Sequence, residues 1–266
     1  MGQERVYNSG TAFRQPRSLG LSSRDVAETL PRVIDPGDVG THLRATAVSW
    51  GVPAKIASEL MKEHATVFYK KGSIIFMQDS PGDVLFWVLS GLVKVCCTIK
   101  SRERLTVGLA GPGELVGFAN WFDTAGRTIQ AFEARAITDC TLAVLTRERI
   151  EQAFESLEPA SLIRFIMRLN ATWSKTLQTR VRFLGLDFQT RLSEVLVDLS
   201  ARFGVKGANG VMLVVELCHG DLAEMVGCSR PLVTKLVRKM MFDGSLGRNG
   251  RRYVLLNEHK FSRASA

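Results

Sequence analysis

Four side chains in the last third of the chain have the types and the spacing for chemistry on a polyanion. Arg230, Thr234 and Arg238 recur every four residues with Lys235 beside them, so a helix here sets guanidinium, hydroxyl and ammonium groups on one face. Such groups can hydrogen-bond base edges and phosphates in a DNA major groove. Val233, Leu236, Val237 and Met240 make the opposite, apolar stripe that would anchor the helix. Ser229 suits an N-cap, and Pro231 suits a first turn whose N–H groups have no intrahelical acceptor.

A helix presented this way needs a support. Leu222 and Val226 stand four apart on a shorter preceding helix, and Gly227 can take the left-handed conformation that stops it. The pair reads as a helix-turn-helix. Residues 245–256 then centre on Asn249-Gly250, a turn signal that predicts a small hairpin bearing Arg248, Arg251 and Arg252. From Cys228 onward there are nine basic residues and two acidic ones. That local excess, within a net charge of +9, points to double-stranded DNA rather than to a merely solvated basic face. The candidate contact residues are Ser229, Arg230, Pro231, Thr234, Lys235, Arg238, Arg248, Arg251 and Arg252.

The run from Asp221 to Arg230, Asp-Leu-Ala-Glu-Met-Val-Gly-Cys-Ser-Arg, followed by Val233-Thr234, resembles the DNA-binding motif of the Crp/Fnr family of bacterial transcription regulators. The resemblance implies a homodimer, a sensory β-roll ahead of a long dimerisation helix, and RNA polymerase as a protein partner. Pro231 stands where many relatives carry a glutamate that reads cytosine, which implies a half-site unlike the common one.

The remaining chain divides to match. Residues 1–40 mix Gly, Ser, Pro and charge without a period and read as a flexible extension. A helix is predicted from Val52-Pro53 onward. Between Val67 and Leu145, short apolar runs broken by glycine predict strands of an antiparallel roll. Through Lys71-Gly72, Pro81-Gly82-Asp83, Ser90-Gly91 and Gly111-Pro112-Gly113-Glu114 the segment resembles a cyclic-nucleotide-binding β-roll. Leu162, Ile166, Leu169, Trp173, Thr176, Arg180 and Phe183 recur in steps of three and four and predict a helical seam, against a second subunit or against the chain's own roll. The expected fold is α+β, with a roll over 41–152, a dimerisation helix over 153–185 and a winged helix-turn-helix over 186–266. Leu186-Asp187 is the expected hinge, and residues 188–203 form an amphipathic helix.

In cyclic-nucleotide-binding members of the family, an arginine followed by a hydroxyl residue holds the phosphate, and an acid takes the ribose. Alignment through Ala136, Thr138 and Cys140 puts Gln130 at the arginine position, Ala131 at the hydroxyl position and Phe118 at the acid. On the dimerisation helix Thr176 matches a base-contacting threonine, and Leu177 replaces its hydroxyl neighbour. This rewired pocket implies a regulator not controlled by cyclic AMP, with a hydrophobic effector of unknown identity or none. Arg127 and Arg135 are the spare cations nearby, Arg135 reading as structural.

No cofactor is expected. An iron–sulfur cluster wants about four reachable thiolates, and no cysteine precedes Cys96. Haem stays open through His42, His64 or a thiol. Cys228, beside the helix start, reads as a small buried residue or as an oxidation-sensitive thiol activated by the helix terminus. Two other functions stay open: constitutive DNA binding with an empty roll, and a β-roll metalloenzyme, although no histidine lies between His64 and His219 and no catalytic set stands out. No apolar run reaches bilayer length and no secretory signal opens the chain, so a cytoplasmic protein without a membrane partner is expected.

Overall fold

The computed structural model describes residue 60 and residues 65–98, 104–118, 129–155 and 158–256. The expected N-terminal extension, most of the helix after Val52, the loop with Trp121, Phe122 and Arg127, and His42 and His64 lie outside them.

Eight strands form the roll: β1 (Ala65–Tyr69), β2 (Ile74–Phe76), β3 (Val84–Ser90), β4 (Val93–Thr98), β5 (Arg104–Ala110), β6 (Leu115–Val116), β7 (Glu133–Ala136) and β8 (Cys140–Thr146). They pair antiparallel in two sheets, ordered β1-β8-β3-β6 and β2-β7-β4-β5. Alternation along β3 explains its unbroken apolar run. Phe86 and Val88 face the interior with Val93, Val95, Val107 and Leu142. Leu85, Trp87 and Leu89 face outward, where helices cover them. Gly91 (φ 88°) makes the turn into β4, and a Cβ there would stand 2.3 Å from Asp139 O.

The covering helices are α1 (Arg147–Glu155) and α2 (Pro159–Phe183). The expected start of the long helix at 153 is corrected by Pro159. Proline drives the residue before it out of the helical region, and Glu158 is extended with ψ 133°. The expected seam faces the chain's own domains. Leu169 is buried in the cluster under β3, Trp173 packs against the roll interior, and Phe183 joins the core of the C-terminal domain. Arg180 donates to Val107 O (3.1 Å) and Met225 O (3.0 Å), and burial pushes its pKa below the ordinary arginine value. That face is therefore occupied by the chain's own domains.

The C-terminal domain comprises α3 (Phe188–Phe203), β9 (Gly204–Gly207), β10 (Gly210–Leu213), α4 (His219–Val226), α5 (Arg230–Phe242), β11 (Leu246–Asn249) and β12 (Arg252–Leu255). Its sheet runs β11-β12-β10-β9. Asp187 caps α3 by accepting from Gln189 N and Thr190 N. Leu192, Leu196, Leu222, Val233, Val237, Tyr253 and Leu255 share one core, to which the roll adds Leu92 and Ile137. Roll and C-terminal domain are thus packed together, not strung on a linker. No helix among the described residues is long and apolar enough to cross a membrane.

Candidate nucleic-acid interface

Short-range chemistry builds the helix pair. At the start of α4, Cys218 Sγ accepts from Asp221 N while Asp221 Oδ2 accepts from Cys218 N, a reciprocal cap that uses two otherwise unpaired donors. Gly227 ends α4 in the left-handed conformation (φ 74°), its N–H returning to Ala223 O. Ser229 follows as the N-cap residue of α5, without a side-chain cap bond. Val233, Val237 and Met240 are buried beneath that helix.

The opposite face of α5 is open. Ser229, Arg230, Pro231, Lys235 and Arg238 are exposed, and Thr234 is half-buried. In the wing, Asn249 pairs with Arg252, which leaves Gly250 (φ 58°) and Arg251 as the turn. Arg251 is exposed at this tip. Arg252 has a different setting from its neighbour: half-buried, its Nε donates to Val214 O at 3.1 Å and ties the wing to the chain after β10. Arg248 lies over the Tyr253 ring, 4.6 Å from its centroid, and donates to its hydroxyl at 2.8 Å.

Two arrangements escaped the reading of the sequence. His219 bridges Thr234 and Arg248. Behind α4, Lys94 Nζ of the roll meets Asp221 Oδ1 (3.1 Å) and Glu224 Oε2 (2.6 Å), and Arg104 Nε meets Glu224 Oε1 (3.4 Å). A lone lysine inside an apolar strand was the only available sign of the second.

The expected effector residues are dispersed. A cavity of about 310 Å³ is lined by Gly108, Leu109, Phe118, Trp173, Thr176 and Arg202, among others. Phe118 and Thr176 are thus together, whereas Gln130, Ala131 and Leu177 are not among its lining. Gln130 is buried, with no hydrogen-bond partner for Nε2 among the described residues. Trp173 fills the side of the roll between Phe118 and Phe132, 5.9 and 5.1 Å away. Arg135 pairs with Glu133. Burial pushes the Cys228 thiol pKa up, against the field of Arg191.

A roll packed through a long helix onto a winged helix-turn-helix with an open cationic face defines a DNA-binding regulator of transcription. The model of the cyclic nucleotide-binding domain matches residues 66–156. The chain is 29% identical over 222 residues to the CRP-like protein Clp of Xanthomonas oryzae, covering 82% of this chain and 95% of that one. Among solved structures, the c-di-GMP-responsive global regulator CLP of Xanthomonas campestris superposes with a TM-score of 0.64 at 26% identity, covering 77% of this chain and all of that one. FixK2 from Bradyrhizobium japonicum, at 20% identity, TM-score 0.65 and coverage of 77% and 98%, shares the fold. These similarities support a transcription regulator of the Crp/Fnr type; the relatives and neighbours that the chain resembles are regulators and not enzymes.

Proposed function

We propose that the protein acts in the cytoplasm as a homodimer that binds a two-fold DNA site and recruits or contacts RNA polymerase, without control by cyclic AMP. The observation that carries DNA recognition is the exposed face of α5 beside the wing tip. Ser229, Arg230, Pro231, Thr234, Lys235 and Arg238 meet the major groove, and Arg248 and Arg251 meet the flanking backbone. Arg230→Ala is expected to cost about 1–3 kcal/mol and relax preference at one base step, whereas Arg251→Ala weakens all duplexes alike and lowers the salt slope. Titration of selected and random duplexes at several salt concentrations checks this; a salt-independent affinity would end the DNA reading.

The dimer face is supported by what α2 leaves uncovered. Ile163, Met167, Val181 and Leu184 are 57, 65, 65 and 70% exposed. With Asn170, Ser174 and Leu177 between them they recur in alternating steps of four and three, one position away from the seam expected earlier. Val181→Glu, placed in an apolar seam, is expected to give a monomer with intact fold and DNA affinity reduced more than tenfold, since burying an unpaired charge is unfavourable by several kcal/mol. Sedimentation velocity decides it, and an unchanged dimer would move the interface elsewhere. Trp173, packed against Phe118 and Phe132, narrows the ligand space of the roll and favours ligand-free, constitutive binding, and any small-molecule effector would occupy the cavity between β5, α2 and α3.

A further inference from the structure

The ring of His219, the first residue of α4, crosses to two other elements. Nδ1 lies 2.8 Å from Thr234 Oγ1 on α5, and Nε2 lies 3.2 Å from Arg248 Nη2 on β11. Thr234 Oγ1 in turn donates to Arg230 O at 3.0 Å. These contacts admit one protonation state. A guanidinium only donates, so Nε2 must accept; a neutral imidazole accepting there carries its proton on Nδ1. That proton points to Thr234 Oγ1, whose own hydrogen is committed to Arg230 O.

We propose that His219, as the neutral Nδ1–H tautomer, is a positioning residue for DNA reading that locks the wing arginine Arg248 to the recognition helix α5. The proposal rests on the DNA-binding reading. The lock joins the two surfaces that must meet one duplex in a fixed register: Thr234 lies on the groove-facing side of α5, and Arg248 begins the wing. Protonation adds a hydrogen at Nε2, directly opposite a cation, and frees Arg248 from the ring, leaving it held, among the described residues, by Tyr253 alone.

The charges around the ring all favour the neutral form. Arg248 faces it from β11, Arg230 and Arg238 from α5, and Tyr253 of β12 sits behind Arg248. On its own helix, Asp221 is engaged by Lys94 and the Cys218 N–H. Burial first, then these three arginines, lower the imidazole pKa below its ordinary value of 6.5. The folded state thus binds this proton less readily than the unfolded chain, so the lock holds at neutral pH and is lost as pH falls through the lowered, folded-state value.

The test uses the full-length protein and the duplex it selects from a random library at pH 7.5, with a scrambled duplex as competitor. Wild-type discrimination is expected to fall about tenfold as pH is lowered from 7.5 through the folded-state pKa of His219, the size of one well-placed contact. His219→Gln, which reaches toward Arg248 but does not titrate, should show discrimination that does not change with pH. His219→Ala should be low throughout. The ring's carbon and nitrogen shifts in the free protein should report the Nδ1–H tautomer at pH 7.5, a readout independent of how any variant folds. A pH-flat wild-type ratio, the same pH dependence in His219→Gln, or an Nε2–H tautomer overturns the proposal while leaving DNA binding intact; failure to bind any duplex overturns both.

Discussion

Lys94→Met is expected to destabilise the protein by about 3 kcal/mol and to split its unfolding into two transitions. Removing one member of a buried ion pair typically costs about 3–5 kcal/mol, because the remaining charge is left desolvated. The Lys94 side chain is 9% exposed, and those of Asp221 and Glu224 are 15 and 21% exposed. Partial exposure and the retained Arg104 contact to Glu224 place the effect at the low end. Methionine keeps the aliphatic stem, so the loss reports the charge. This cluster clamps α4 against β4 and β5, alongside the shared apolar contacts, Arg180, the Lys71 bond to Glu216 O and the Arg202–Glu114 pair. Urea denaturation followed separately by near-ultraviolet signal and by DNA binding measures both consequences. A change below about 1 kcal/mol with one transition would mean that the cluster behaves as a screened surface pair.

The cluster also sets a pH window. Burial disfavours the Lys94 charge, but the hydrogen bond to Glu224 and the fields of Asp221 and Glu224 outweigh it and raise the pKa above the ordinary 10.5. A raised lysine pKa stabilises fully below 10.5 and is lost as pH climbs through the folded value. For Asp221, burial is outweighed by the Cys218 hydrogen bonds and by Lys94, which bring the pKa below the ordinary 3.8. Its contribution is present above 3.8 and is lost as pH falls through the folded value. The interdomain clamp is therefore fully formed at neutral pH.

Cyclic AMP and cyclic GMP are expected not to bind at cellular concentrations. A buried phosphate needs charge compensation, and Gln130, at the position of the family's arginine, offers only neutral hydrogen bonds, roughly half as strong as charged ones. Arg135 does not replace it, being paired with Glu133. Ala131 lacks the hydroxyl, and Phe118 lacks the carboxylate for the ribose. Each unmet polar group costs about 1–3 kcal/mol, so two or three together lower affinity by roughly 10² to 10⁶. Trp173 packed between Phe118 and Phe132 adds a steric obstacle. Calorimetry with both nucleotides at millimolar concentration checks this, and saturable micromolar binding abolished by Gln130→Ala would restore a nucleotide sensor.

What the sequence determined by itself is what local chemistry encodes. The helix start at Ser229-Arg230-Pro231, the left-handed stop at Gly227 and the apolar stripe of α5 each depend on residues within a turn or two, so the helix pair was legible, although the Ser229 side chain makes no cap bond. Residues 188–203 were legible as the helix they form from their amphipathic pattern, whereas Leu186-Asp187, expected as a hinge, supplies its cap in Asp187. The strands of the roll followed from apolar runs between glycines, though β6 and β7, short and flanked by irregular chain, were not separately legible. Tertiary structure decided everything that depends on which surfaces meet. Both the stripe through Leu169 and Phe183 and the one through Met167 and Val181 run along α2 at nearly the same period, and only the docked roll determines which of them is covered. Lys94, His219 and Trp173 gain their roles from partners 130, 15 and 41 or more residues away. A heptad or an alternation constrains neighbours along one element; it holds no information on contacts made across the chain, and those contacts position the interface and close the roll.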